Sequence, residues 1–411
     1  MFSGCDSSRG PLLKSYIMSV RKGAAIFILL ILCVSSMHAE ESDLEKKMPV
    51  IYCTDLFHPH DDPDDHFDIA CLYAIKEVTI KAIVLDQGKK QKKKPGSIPI
   101  SQLNHITGRN VPYAIGLSDK LQTPEDKGLS QAKEYQDGVE LILLVLEKSK
   151  KPVSIITVGS LRDIAAGYNR SPDLFKTKVN KLFIFIGEAS KKGHIEYNVG
   201  LDKNAYIRIM NSGLPVYWVP CFDGGPWQNN GRASYWKASH KDLLGNVSDR
   251  VMNYFIYALL RKNEKDPIQY LENEINEDDK EQVLSMNRNL WCSAVFARIA
   301  GRRFIRQGNE FISIPMDASY DKEQEIRPFR FDEVSVFVDE QANISYEDTK
   351  RAGRIRQFHV LTPDIYAEVM TSVTAQLLFQ LDPRHVHSDL QVICPVEQFV
   401  KDNAEPSGFP R

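Results

Sequence analysis

From Pro49 onward, short apolar runs alternate with segments whose apolar residues recur at helical spacing. Val50-Ile51-Tyr52-Cys53 reads as a strand, and 66–77 reads as a helix carrying Phe67, Ala70, Cys71 and Ala74 on one face. Further strands are predicted at 82–85, 112–115, 153–158, 182–186 and 215–219, with helices at 139–146, 161–168 and 205–210. None of these strands alternates apolar with polar positions. A strand apolar on both sides has to be covered on both, so the pattern predicts an α/β fold: a mainly parallel open sheet with helices on either face. Beyond Asn246 the periodicity turns helical at 254–260 and again at 290–299. An edge strand is expected at 333–338 and a closing helix at 366–381. No repeat and no Pro/Gly/Ser linker divides the chain, which predicts one domain over 40–411 with a C-terminal extension after about residue 300.

Composition narrows the partners. With 43% hydrophobic residues and 52 basic against 54 acidic side chains, the chain has material for a core and a formal net charge of only -2. That excludes wholesale disorder and any general attraction to phosphate backbones, so no nucleic-acid partner is expected. The run Lys89-Lys90-Gln91-Lys92-Lys93-Lys94 reads as a solvated loop. Near the start, Arg21 and Lys22 precede the apolar stretch 24–34, and Ser35-Ser36-Met37-His38-Ala39 follows it. This has the form of a secretory signal peptide over 1–39, with Met18 as an alternative start. The stretch is too short to span about 30 Å of hydrocarbon. A secreted or periplasmic location is expected, with an uncleaved membrane anchor as the alternative. The remaining cysteines, Cys53, Cys71, Cys221, Cys292 and Cys394, are scattered and odd in number, which argues against a disulfide-stapled scaffold.

The richest chemistry lies at Thr54-Asp55-Leu56-Phe57-His58-Pro59-His60-Asp61-Asp62-Pro63-Asp64-Asp65-His66-Phe67-Asp68, between the first strand and the first helix. Open α/β sheets bind ligands at that carboxyl edge. Six carboxylates so close together repel unless a cation sits among them, and hard oxygen donors suit Ca²⁺ or Mg²⁺. A solvated acidic turn that caps the helix is the plainer alternative. His58, His60 and His66 offer a further one, a zinc or iron site, though no HExxH-type motif supports it.

This segment resembles the N-terminal signature of the inosine-uridine nucleoside hydrolase family, in which a strand ends in an Asp-rich loop and two adjacent aspartates open a helix. Thr54-Asp55 followed by Asp62-Pro63-Asp64-Asp65 is closest to the family's divergent branch. Three further matches follow in order. They are Gln102-Leu103 with Thr107-Gly108 and Val111-Pro112-Tyr113-Ala114-Ile115-Gly116; Thr157-Val158-Gly159-Ser160-Leu161-Arg162-Asp163-Ile164-Ala165; and Ile184-Phe185-Ile186-Gly187-Glu188 with Glu196-Tyr197-Asn198 and Asp202-Lys203-Asn204-Ala205.

The resemblance implies a Ca²⁺-dependent hydrolase of N-ribosidic bonds acting on small nucleoside-like molecules, with homo-oligomerisation left open. It implies that Asp65 binds the metal, that Asp64 faces sugar hydroxyls, that the backbone carbonyl of Arg162 is a metal ligand, and that Glu196 and Asn198 hold the ribose. The sequence departs from the family where Leu56-Phe57 replaces an expected acid. Asp62 is then the candidate to bind metal and activate water, with Asp55 as the other metal candidate. A second departure puts Arg288-Asn289 where the family has a His-Asp pair: Asn289 can still ligate through its amide oxygen, whereas Arg288 cannot donate a proton at neutral pH. Arg288 would instead hold an anionic or carbonyl-bearing leaving group, Trp291 would stack on it, and Asp223 would floor the pocket. Two other functions fit the same residues: a ribose- or nucleoside-binding protein with little or no catalysis, and a metal-dependent hydrolase of a different glycosidic bond. Asn246 and Asn343 lie in N-x-S sequons.

Overall fold

The protein is described here from a computed structural model, which covers residues 47–190, 195–349 and 355–385. The segment read as a signal peptide and Cys394 lie outside the described residues.

Strand β1 (Met48–Thr54) lies inside a nine-stranded sheet, third from one edge. Its side chains alternate faces: Val50 and Tyr52 enter one apolar core, Ile51 and Cys53 a second one on the other side. This is why the run carries no polar position. Strands β2 (Val78–Leu85), β3 (Tyr113–Ile115), β4 (Val153–Thr157), β5 (Val179–Phe185) and β6 (Val216–Val219) complete the parallel part, in the order β6-β5-β4-β1-β2-β3. The order reverses between β1 and β4, which leaves a crevice at their carboxyl ends. Helices α1 (Asp64–Ala74), α2 (Ser97–Thr107), α6 (Asp249–Leu259), α7 (Ser293–Ile299) and α8 (Pro363–Phe379) pack on one face. Helices α3 (Asp137–Lys148), α4 (Arg162–Arg170) and α5 (Lys203–Met210) cover the other.

Several expected elements are shifted. The first helix starts at Asp64, where two acids in the first turn face the positive helix end, and stops at Ala74 because Ile75 is extended. Leu290 ends a strand, β8 (Asn287–Leu290), paired antiparallel with β7 (Trp236–Ser239), so the predicted helix 290–299 begins only at Ser293. The predicted edge strand 333–338 is interior: β12 (Phe329–Val338) pairs with β14 (Ile355–Val360) on one side and β13 (Ile344–Asp348) on the other. β14 joins the parallel part through β6. A small antiparallel sheet of β9 (Arg303–Gln307), β10 (Glu310–Ile314) and β11 (Glu325–Ile326) completes the C-terminal extension. The lysine run is tied down locally, with Lys90 and Lys94 on Asp61, Lys89 on Asp119 and Lys92 on Glu134.

Candidate active site

β1 delivers Thr54 and Asp55 to the crevice, and α1 delivers Asp64, Asp65 and, one turn on, Asp68. The Thr54 hydroxyl donates to Asp65 Oδ1 at 2.5 Å, which locks the strand end to the helix start. Ser293 Oγ donates to Asp68 Oδ1 at 2.6 Å, while Asp68 Oδ2 is buried without a partner. Among the described residues, none of Asp55, Asp64, Asp65 and Asp68 has a basic residue in an ion pair. Crowding shows in their protonation. Burial first, and Asp86 second, push Asp55 up to about 7. Burial with the charges of neighbouring acids raises Asp64 and Asp65 well above the carboxylate range, and burial pushes Asp68 up to about 6.

β2 ends at Asp86, whose Oδ2 accepts the Ser160 N–H at 2.8 Å. A Cβ on Gly159 would lie 3.0 Å from Asp55 Oδ1 and 3.1 Å from Asp86 Oδ2, so any larger residue in the β4 turn would press on both acids. Beyond β5, Glu196 caps a short helix: Oε1 accepts the Asn198 N–H at 2.9 Å and Oε2 the Gly187 N–H at 2.8 Å. The Asn198 amide donates to the Val158 carbonyl at 3.0 Å. Glu196 lies close enough to act on the charge of Asp55, and exposed Tyr197 feels Asp55, Asp61, Asp86 and Asp65, which with burial as the larger cause raise its phenol to about 12.

An aromatic wall closes the far side. Trp291 donates Nε1–H to the Cys221 carbonyl at 3.0 Å and packs against Phe222, Tyr235 and Trp227, with ring centroids 5.8, 5.8 and 6.1 Å away. Cys221 in turn lies within reach of the charges of Glu196, Asp64, Asp55 and Asp68, which sets this wall beside the acids.

The structure thus brings Asp55, Asp64, Asp65, Glu196, Asn198 and Trp291 around one crevice. Other sequence candidates are engaged elsewhere. Exposed Asp62 pairs with Arg288 Nη1 at 3.0 Å, which puts both on the rim. The Asn289 amide oxygen accepts the Tyr235 hydroxyl at 3.0 Å. Arg162 opens α4, where a helical carbonyl points along the axis away from the crevice, and its side chain reaches Asp202 at 3.0 Å and Asp86 at 3.8 Å. The Asp223 carboxylate accepts the Arg232 N–H at 2.9 Å and closes its own loop. His58 and His60 dock on the carbonyls of Lys262 and Leu259 at the end of α6, at 2.7 and 3.4 Å. The sequence pattern left Asp86 unassigned and counted Asp68 in the acid cluster without giving it a role. Both were accessible to it: Asp86 follows a predicted strand at the carboxyl edge, and Asp68 lies at helical spacing from Asp64 and Asp65.

The donor chemistry suits a hard divalent cation, because buried and half-buried carboxylates gather here with no ion-pair partner among the described residues. Among the described residues, no three acid, histidine or cysteine side chains already form a shell. Coordination would have to be completed by backbone oxygens, water or substrate hydroxyls.

A model of the family described as inosine-uridine preferring nucleoside hydrolase matches residues 54–259. The pyrimidine-specific ribonucleoside hydrolase RihA of Salmonella paratyphi B is 26% identical over 189 residues, 41% of this chain and 58% of that protein. An uncharacterized protein of Schizosaccharomyces pombe is 24% identical over 120 residues, 28% of this chain and 37% of its own length. The match therefore spans less than two thirds of either curated relative. A solved plant nucleoside hydrolase is 14% identical, covering 82% of this chain and 99% of that one, with a TM-score of 0.49. On the family match, which extends from the Asp-rich loop through α6 and takes in half of the sequence, this chain belongs to the inosine-uridine preferring nucleoside hydrolase family.

Proposed function

We propose that the chain is an exported, Ca²⁺-dependent hydrolase of N-ribosidic bonds in small nucleoside-like molecules. The observation that carries this reading is the crevice itself: crowded acids with no ion-pair partner among the described residues on one side, packed aromatic rings on the other. Asp55 and Asp65 would hold the ion, which when bound would supply a Lewis acid for a water and for vicinal sugar hydroxyls. Asp64 and Asn198 orient the ribose, and Glu196, pinned by the N–H groups of Gly187, Asn198 and Val199, fixes the segment that carries Asn198. Asp55, which burial and Asp86 make more basic than an ordinary carboxylate, is suited to take the proton of the attacking water on a carboxylate oxygen. The carboxylates stabilise positive charge developing on the sugar ring as the bond to the base breaks. On the rim, Arg288 is a fixed cation that binds a carbonyl or anionic leaving group without protonating it, and Trp291 and Trp227 offer rings for stacking. A leaving group that needs no protonation follows from that substitution. Export rests on the sequence of residues 1–39.

The test is release of base from uridine, inosine and p-nitrophenyl riboside with added Ca²⁺. Turnover that is abolished by chelation and by Asp65→Ala is the expected result. Saturable ribose binding without turnover would replace this reading with the binding-protein one. Cleavage of other glycosides but not ribosides would overturn the substrate class.

A further inference from the structure

Helix α3 carries six consecutive apolar residues, Leu141-Ile142-Leu143-Leu144-Val145-Leu146, although only one side of it covers the sheet. Val139, Ile142 and Leu146 are fully buried in the core beneath it, and Leu143 and Val145 pack at the margin of that core. Leu144 is turned outward and is 43% exposed. A surface helix needs an apolar stripe on one side only, so the fold of the chain gives this position no reason to be leucine. A lone exposed leucine is ordinary. What distinguishes this one is the charge arranged around it.

Glu140 and Lys148 lie four residues before and after Leu144, on the same row of the helix surface and about 6 Å from it along the axis. Both are exposed, and exposed Asp137 and Lys151 repeat the order of acid before and base after, seven positions out. Buried Arg170 reaches Glu140 Oε1 at 2.8 Å and leaves that carboxylate 62% exposed. Lys148 has no ion-pair partner among the described residues. The helix dipole accounts for acids in the first turn and a base in the last. It does not account for their sharing one row with an outward leucine. Turned end for end, that row is complementary to itself: an antiparallel copy centred on Leu144 sets leucine on leucine and each Glu140 beside the other copy's Lys148, as a two-fold contact requires. A partner of a single charge sign would meet repulsion on half of the row, so the pattern selects a second copy of this chain.

We propose that the outer row of α3 is the contact of a homodimer, formed by two antiparallel α3 helices across a two-fold axis at Leu144. The helix has 12 residues, about 18 Å of length, so the pair covers less than the roughly 800 Å² per partner of a standard stable interface. The dimer is therefore weak and forms and dissociates with concentration in the micromolar range. No residue of the acid crevice belongs to this row.

The test is sedimentation velocity of the intact protein over about a hundredfold range of concentration, in low and high salt. A monomer–dimer equilibrium that salt weakens is expected. Leu144→Arg should abolish the dimer, and Lys148→Glu should weaken it about tenfold or more by setting like charges opposite each other. Glu140→Lys combined with Lys148→Glu should restore it, because the exchanged pairs are again complementary; charges that serve only their own helix would not give that recovery. A monomer at every concentration overturns the proposal. So does a dimer that Leu144→Arg and Lys148→Glu both leave intact, which would assign self-association to another surface. A monomer whose melting temperature falls on Leu144→Arg would assign the row to another segment of this chain, and overturns it too. If the double variant, which also loses the Arg170 pair, does not fold, the single variants Leu144→Arg and Lys148→Glu decide. Turnover is not read, so failure here is distinct from failure of the hydrolase reading.

Discussion

Arg162 lies among Asp86, Asp163 and Asp202 at the start of α4, whereas Asp55, Asp64, Asp65 and Asp68 crowd around the ends of β1 and α1 with no described basic partner. Both groups are buried acids within a few turns of the same sheet edge. In the first, one guanidinium reaches two carboxylates and the carbonyls of Leu117, Ser118 and Leu201, so the acids are matched by donors and fix the backbone. In the second, the side chains that answer the charge among the described residues are neutral, the hydroxyls of Thr54 and Ser293 and the Gln87 amide, which donates to Asp55 Oδ2 at 3.4 Å. Matched acids stabilise a fold; unmatched ones are retained against their own repulsion, which is a reason to look for a ligand there.

The largest break in that contrast should come from Arg162→Met. It strands Asp86 and Asp202 as buried acids, and the expected loss is about 3–5 kcal/mol in urea denaturation. A loss below about 1 kcal/mol would show that the two groups are not different in kind. The opposite behaviour is expected of Asp65→Asn. Removing one of several repelling acids should leave melting unchanged or raised, while riboside turnover drops by at least about a hundredfold. Parallel loss of folding and turnover would make Asp65 a structural residue.

His240 tests the rim behind Arg288. It is fully buried, bonds the Val283 carbonyl at 2.9 Å, and is pushed down to about 4 by burial first and Arg288 second. Above pH 6.5 the ring is neutral both folded and unfolded, so it adds no pH dependence. Between 6.5 and 4 the unfolded chain gains a proton that the folded one refuses, and stability should fall with falling pH by about 3 kcal/mol in all. In His240→Phe that portion of the slope should vanish; an unchanged slope assigns it to other groups. The smallest effect is expected at the outer edge of the acid loop, where Lys94 pairs with Asp61 in partial exposure. Lys94→Ala should cost under about 1 kcal/mol and fade with salt. A larger loss would extend the matched class to the loop's outer acids.

Legibility in the sequence followed burial. β1, β4 and β5 read clearly because both sides of each enter apolar cores. β14, Ile355-Arg356-Gln357-Phe358-His359-Val360, did not, because polar residues interrupt it and its place beside β6 depends on a pairing across more than a hundred residues. Leu290 looked helical because Leu290, Ala294 and Val295 share a helical spacing, yet pairing with Trp236 claims it for a strand. The Asp-rich loop, Glu196, Asn198 and Trp291 were visible as residue types at a sheet edge. Their engagements were not: Arg288 meets Asp62 across 226 positions, and Asn289 meets Tyr235 across 54.

By itself the sequence determined the alternation of strand and helix, the parallel core and the concentration of acids after the first strand, because periodicity and composition act over a few residues. Tertiary structure decided which acids are matched by a cation and which are not, and the ring contacts around Trp291. Charge pairing and enclosure depend on distances in space, and local pattern carries no information about those between segments far apart in the chain.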